Sequence, residues 1–163
     1  MRYRPTLSVE HQEARAKTAV GEFLFHRLIV PKVFLDAPWP GGHNEVDVVA
    51  VDRSGSGEVH VAEVKVGAMS PEAADVAISS LMQIPAHFKY LAIFDGNDYV
   101  PEEARLYAPN GMGRVGVIRV KENEDGDLSA EFRVRPERFK FEASFKLVDK
   151  FTAAHQPDIE VRP

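Results

Sequence analysis

Apolar residues recur along the chain with two distinct periods, and the switches between them mark out its elements. Over residues 8–29, Val9, Ala16, Val20, Phe23, Leu24 and Leu28 return at roughly helical spacing; Ser8 is placed to cap the first turn and Pro31 to end the helix. Val33-Phe34-Leu35 is a short apolar run closed by the breakers Pro38, Pro40, Gly41 and Gly42. Residues 45–51 (Glu-Val-Asp-Val-Val-Ala-Val) and 59–66 (Val-His-Val-Ala-Glu-Val-Lys-Val) then read as two strands joined by the turn sequence Asp-Arg-Ser-Gly-Ser-Gly-Glu. Both strands carry apolar residues on both faces, as central strands covered on each side do.

Ser70-Pro71-Glu72 combines a cap, a proline in the first turn and an acid at the positive end of the dipole, and predicts a helix running to residue 84, before Pro85. Residues 90–94 form a further strand, stopped by Asp95-Gly96, and 101–108 a short helix. Residues 115–120 and 128–134 predict a hairpin across Asp125-Gly126, with Leu128, Ala130, Phe132 and Val134 alternating with polar positions. Residues 141–152 predict a last helix with Phe141, Phe145, Val148 and Phe151 on one side. The order α-β-β-β-α-β, followed by α-β-β and a tail, predicts an α/β fold: a mixed central sheet flanked by helices, with a C-terminal β-hairpin and helix. A length of 163 residues fits a single domain, with a core over about 8–95 and an extension over about 96–163.

Composition narrows the chemistry. The absence of cysteine removes disulfides, thiol catalysis, iron–sulfur clusters and cysteine-ligated zinc. No apolar run approaches the roughly 18 residues of a membrane span, and the segment after Met1 lacks the apolar stretch of a secretory signal, so a cytoplasmic protein that does not enter membranes is expected. The net charge is −5, and it is unevenly spread: residues 41–110 carry 4 basic against 11 acidic side chains, a net −7. A strong nucleic-acid binder usually shows the reverse balance. Surplus acids often only solvate a surface. Here, though, they fall in the segment that holds three charges in unusual places, and clustered carboxylates repel each other unless a cation lies between them.

Those charges are Asp47, Glu63 and Lys65, each inside an otherwise apolar strand. Burying an unpaired charge is costly. Alternation puts Glu63 and Lys65 on one face, and the hairpin brings Asp47 beside them if the register matches. An acid and a lysine two apart on a strand also occur as an ordinary salt-bridged patch. The added acid on the partner strand favours a built site. Asp47 and Glu63 can each offer a carboxylate oxygen to Mg²⁺, and the main-chain carbonyl of Val64 a third oxygen. Lys65 would lie beside the attacking water or the phosphate.

The stretch Asn44-Glu45-Val46-Asp47-Val48-Val49-Ala50, a turn, then Val61-Ala62-Glu63-Val64-Lys65-Val66 resembles the core motif of the PD-(D/E)XK nuclease superfamily, which includes restriction endonucleases, Holliday junction resolvases and RecB-like nucleases. The likeness spans residues 8–95. The proline that names the motif is missing; Val46 precedes Asp47. The resemblance implies a restriction-endonuclease-like αβββαβ core and a Mg²⁺-dependent nuclease, with Mn²⁺ as a substitute metal and nucleic acid, DNA first, as substrate. It implies Asp47 and Glu63 as metal ligands and Lys65 as the catalytic lysine. It also implies an acid from the first helix, best matched by Glu22 and next by Glu13, and a glutamine from the helix after the lysine strand, matched by Gln83. A homodimer or a larger restriction or repair assembly would suit double-strand cleavage and an acidic surface. The alternative is a non-catalytic member of the fold that binds nucleic acid or a protein partner.

Other signals carry less. Gly111-Met112-Gly113-Arg114-Val115-Gly116 spells a dinucleotide fingerprint, but a strand rather than a helix follows it, so a turn is expected. The six histidines show no metal-ligand spacing; His43, just before the Asp47 strand, could contact substrate. Arg133, Arg135, Arg138 and Lys140, interleaved with Phe132, Phe139 and Phe141, could meet a phosphate backbone, although Glu131, Glu137 and Glu142 dilute the patch.

Overall fold

A computed structural model describes residues 8–29, 31–38, 45–52, 57–140 and 151–160. Helix α1 (Val9–Arg27) is followed by β1 (Pro31–Ala37), β2 (Val46–Asp52) and β3 (Glu58–Val66), then α2 (Pro71–Met82), β4 (Phe88–Phe94), the short α3 (Glu103–Leu106), β5 (Gly116–Glu122), β6 (Leu128–Val134) and β7 (Ile159–Glu160). The caps expected from sequence are in place: Ser8 accepts from the His11 N–H and Ser70 from the Ala73 N–H. The predicted helix over 141–152 lies mostly outside the described residues; 151–154 are helical, and Phe151 is buried.

The strands form one seven-stranded mixed sheet in the order β6-β5-β4-β3-β2-β1-β7. Strands β1, β2 and β3 pair antiparallel, β3, β4 and β5 parallel, and β6 and β7 close the two edges antiparallel. Two cores follow from strand alternation. On one face Ala16, Val20, Phe23 and Leu24 of α1 pack on Val33, Val48, Ala50, Ala62, Val64 and Ala92. On the other, Ala74, Ala77, Ile78 and Leu81 of α2 pack on Phe34, Val49, Val51, Val59, Val61 and Leu91. The sheet is therefore sandwiched between helices, and β2 and β3, apolar on both faces, run through its interior.

The Gly111–Gly116 segment is a turn leading into β5. Gly113 sits at φ +117, and a Cβ there would lie 2.7 Å from the Phe139 ring, so both the backbone angle and the close packing require glycine. Strand β7 was not predicted: two residues in an acidic, polar tail give no periodicity to read, and they become a strand only by pairing with Lys32 and Val33 of β1.

Candidate functional site

The ladder between β2 and β3 ends at Val48↔Ala62, and one further step in the same register sets Asp47 opposite Glu63. There the side chain takes over from the backbone: Asp47 Oδ2 accepts from the Val64 N–H at 2.7 Å. The strands also turn over at this end. Leu35 and Ala37 are two apart on β1 yet pack in opposite cores, as do Val48 and Val46 on β2. In a regular strand, residues two apart share a face. Between Leu35 and Ala37 stands Asp36 at φ +50, a left-handed angle that aspartate tolerates better than most residues. The reversal turns Asp36 and Asp47 toward α1, where Lys17 reaches both: its Nζ lies 2.7 Å from Asp36 Oδ1 and 3.4 Å from Asp47 Oδ1.

Glu63 is half-buried, and its carboxyl is pushed up to about 7. Burial is the largest cause; the neighbouring charge of Asp47 and a hydrogen bond shared with it add to the effect, and Lys65 and Lys17 oppose it. Burial disfavours the charge of Lys17, but the hydrogen bond to Asp36 and the charges of Asp47 and Asp36 together raise its pKa. Lys65 is exposed, paired across the ladder with Ile93 of β4. The two carboxyl groups could each offer an oxygen to a divalent cation, which would have to displace the Glu63 proton and the Lys17 contact to Asp47. Among the described residues, no group of three or more acidic or histidine side chains is arranged as a metal cluster. A hexacoordinate ion would therefore complete its shell with backbone oxygen, such as the Val64 carbonyl, and water.

The raised Glu63 carboxyl has a measurable consequence in metal-free buffer. The folded chain keeps this proton up to about pH 7, whereas the unfolded chain releases it near the ordinary value of 4.5. In that window the native state binds more protons, so stability falls as pH rises. Glu63→Gln removes the ionisation, and melting curves at pH 5 and pH 8 should show the variant gaining on the parent at pH 8. A difference between the two that does not move with pH would contradict a raised Glu63 carboxyl.

Two other residues expected at the site stand elsewhere. Helix α2 begins beyond the C-terminal end of β3 and runs back about 18 Å to the start of β4, as a crossover between parallel strands must. Gln83, at its end, is exposed and lies at the opposite end of the sheet from Lys65. Glu22 is exposed beside Arg15, Thr18 and Asp127, on the β6 side of α1 rather than the β1–β2 side that Lys17 faces. Five residues of helix rotate it about 140° from Lys17. Glu13 lies one turn before Lys17 and is half-buried, so it, rather than Glu22, shares the face of α1 that carries Lys17. His43 lies outside the described residues. Lys17 and Asp36 escaped the sequence reading. A helical lysine and an aspartate before a proline-rich turn carry no motif, and their meeting depends on the strand reversal.

No family model matches the chain, and no curated protein matches it. A solved structure does: the SPO1766 protein of unknown function from Silicibacter pomeroyi is similar with a TM-score of 0.55 and 17% sequence identity, over 87% of this chain and 84% of that one. At this identity the likeness speaks for a shared fold alone.

Two of the four cations of the arginine patch, Arg133 and Arg138, pair with acids of the same chain, as does the neighbouring Arg114. Arg133 pairs with Asp98 at 3.2 Å, Arg138 pairs with Glu58, and Arg114 lies between Glu103 at 2.9 Å and Glu137 at 3.6 Å. Arg135 lies over the Phe132 ring, 5.2 Å from its centroid. No described helix is long and apolar enough to cross a membrane.

Proposed function

We propose that this chain is a Mg²⁺-dependent nuclease with a restriction-endonuclease-like core and a PD-(D/E)XK-type site, acting on DNA. The observation that carries the reading is the carboxylate pair of Asp47 and Glu63, held together at the separating ends of β2 and β3 with Lys65 two residues along. The element order α1-β1-β2-β3-α2-β4, with β3 and β4 parallel, supports it as well.

In this reading Asp47 and Glu63 hold the cation, with Mn²⁺ able to replace Mg²⁺. The ion, when bound, supplies Lewis-acid activation of the phosphodiester and of the water that attacks it. The Val64 N–H fixes one oxygen of Asp47 and leaves the other, now near Lys17, to face the ligand. Lys17 preserves the charge balance of the acid pair and is tethered to Asp36, so it can yield Asp47 without losing all its partners. Lys65, exposed at the end of β3, reaches the scissile phosphate and stabilises the charge that develops there. A site of this kind reads phosphate rather than sequence, so sequence preference would come from the surrounding loops, and cutting both strands would favour a homodimer.

A second reading, a non-catalytic nucleic-acid or protein-binding member of the fold, is favoured by the Lys17–Asp47 ion pair and the self-paired arginines. One experiment separates the two. Purified protein is incubated with plasmid, linear duplex, single-stranded and branched DNA in Mg²⁺, Mn²⁺ or EDTA, and its melting is followed with and without Mg²⁺. The nuclease predicts metal-dependent cleavage of at least one substrate and a melting shift with Mg²⁺, worth about 2.7 kcal/mol at a hundredfold excess over the dissociation constant. Both should vanish in Asp47→Ala. No cleavage, with Mg²⁺ moving wild type no more than Asp47→Ala, would leave the non-catalytic reading.

A further inference from the structure

A cavity of about 450 Å³ opens at the end of the sheet remote from Asp47, between the C-terminus of α2, the start of β4 and the loop after α3. Met82, Met112 and Phe139 contribute apolar wall, Asn110 contributes an amide, and Lys89 and Lys140 contribute two cations; among the described residues no acid lines it. Lys89 projects into this space from a central strand and is only 5% exposed. Its Nζ donates to the Met82 carbonyl at 3.1 Å and stands 4.4 Å from the centre of the Phe139 ring. That carbonyl engages one of three ammonium donors. Burial pushes the amine down to about 8.

Closing the last turn of α2 does not explain this arrangement. A single donor satisfies the Met82 carbonyl, and a lysine reaching it from solvent would do so without losing its hydration. A buried ammonium with one described hydrogen bond, an aromatic wall and no acid among the described lining residues are together the elements of a site for an anion with an apolar body.

We propose that this cavity binds a small organic monoanion, a carboxylate on a flat apolar body. The carboxylate accepts from the Lys89 ammonium, and the body lies against Phe139 and Met112. One buried positive charge matches one negative charge, and the volume holds a one- or two-ring molecule. The proposal uses none of the residues at Asp47 and stands whether or not the chain is a nuclease.

The test compares 1-anilinonaphthalene-8-sulfonate, an aromatic monoanion, with its uncharged counterpart N-phenyl-1-naphthylamine, by fluorescence titration of the full chain. Wild type should bind the anionic dye saturably at one site, and benzoate should displace it. Lys89→Met keeps the length and apolar character of the side chain. It should weaken the anionic dye about tenfold or more while leaving the uncharged dye unchanged. Met112 is 52% exposed, so Met112→Glu should fold as the parent does and weaken the anionic dye selectively by adding a negative charge at the mouth. If Lys89→Met lowers both dyes equally, the Met112→Glu result decides. The proposal is overturned by any of three results: no saturable binding to wild type, no displacement by benzoate, or equal affinity of the anionic dye for wild type and Met112→Glu.

Discussion

Lys65→Ala is expected to lower metal-dependent DNA cleavage about 10³-fold while leaving the melting temperature within about 2 °C of the parent. The two halves of this result have separate causes. The Lys65 side chain is exposed at the end of β3, where truncation removes little packing and takes one of two nearby positive charges from Glu63. Its contribution would lie in the transition state, as a positive charge beside a phosphate gaining negative charge. The loss should therefore appear in the rate with saturating DNA and Mg²⁺, and the Mg²⁺-induced melting shift should survive, because Asp47 and Glu63 are untouched. Lys65→Arg keeps the charge but not the shape and should recover part of the rate. Cleavage by Lys65→Ala within a few-fold of wild type would remove this residue from the chemistry and leave the acid pair without its third member.

Phe34→Ala should cost about 3–5 kcal/mol of folding free energy, a large part of the roughly 5–15 kcal/mol that a domain commands. Phe34 is 1% exposed in the α2-side core, on a strand paired on both sides. Its ring meets Phe151 edge-to-face, with centroids 4.8 Å apart and planes at 70°. Deletion leaves a cavity between the sheet and the helical turn at 151–154, walled by strands that cannot collapse into it without breaking their ladders. Urea unfolding of Phe34→Ala, Phe151→Ala and the double variant measures the coupling, expected at about 0.5–1.5 kcal/mol for an edge-to-face pair. A cost under about 1 kcal/mol for Phe34→Ala would mean that the C-terminal segment does not pack on this face as described.

Asp47, Glu63 and Lys65 could be singled out from sequence because a charge in an apolar strand is a local anomaly, visible against its immediate neighbours. The hairpin could be read for the same reason, and antiparallel pairing then sets Asp47 across from Glu63 with few alternatives. Gln83 shows where such reasoning stops. It follows the lysine strand closely in sequence, yet a crossover helix between parallel strands returns along the whole sheet, so nearness in the chain becomes distance in space. Glu22 and Glu13 show the same limit on a helix. Both are acids on α1, and only the docking of that helix, with Lys17 turned toward β1 and β2, decides which one approaches the site.

By itself, the sequence determined the elements: the capped helices α1 and α2, the both-face apolar strands β2 and β3, and the alternating hairpin strand β6. Each of these follows from backbone sterics and side-chain period within a dozen residues. The tertiary structure alone decided the rest. The left-handed turn at Asp36 swings two acids toward Lys17, and β7 exists only as a partner of β1. Lys89, an unremarkable lysine in a strand sequence, is buried over a cavity because Phe139, fifty residues later, closes beside it. These features arise from contacts between distant segments, and no local period in the chain encodes which distant segments will meet.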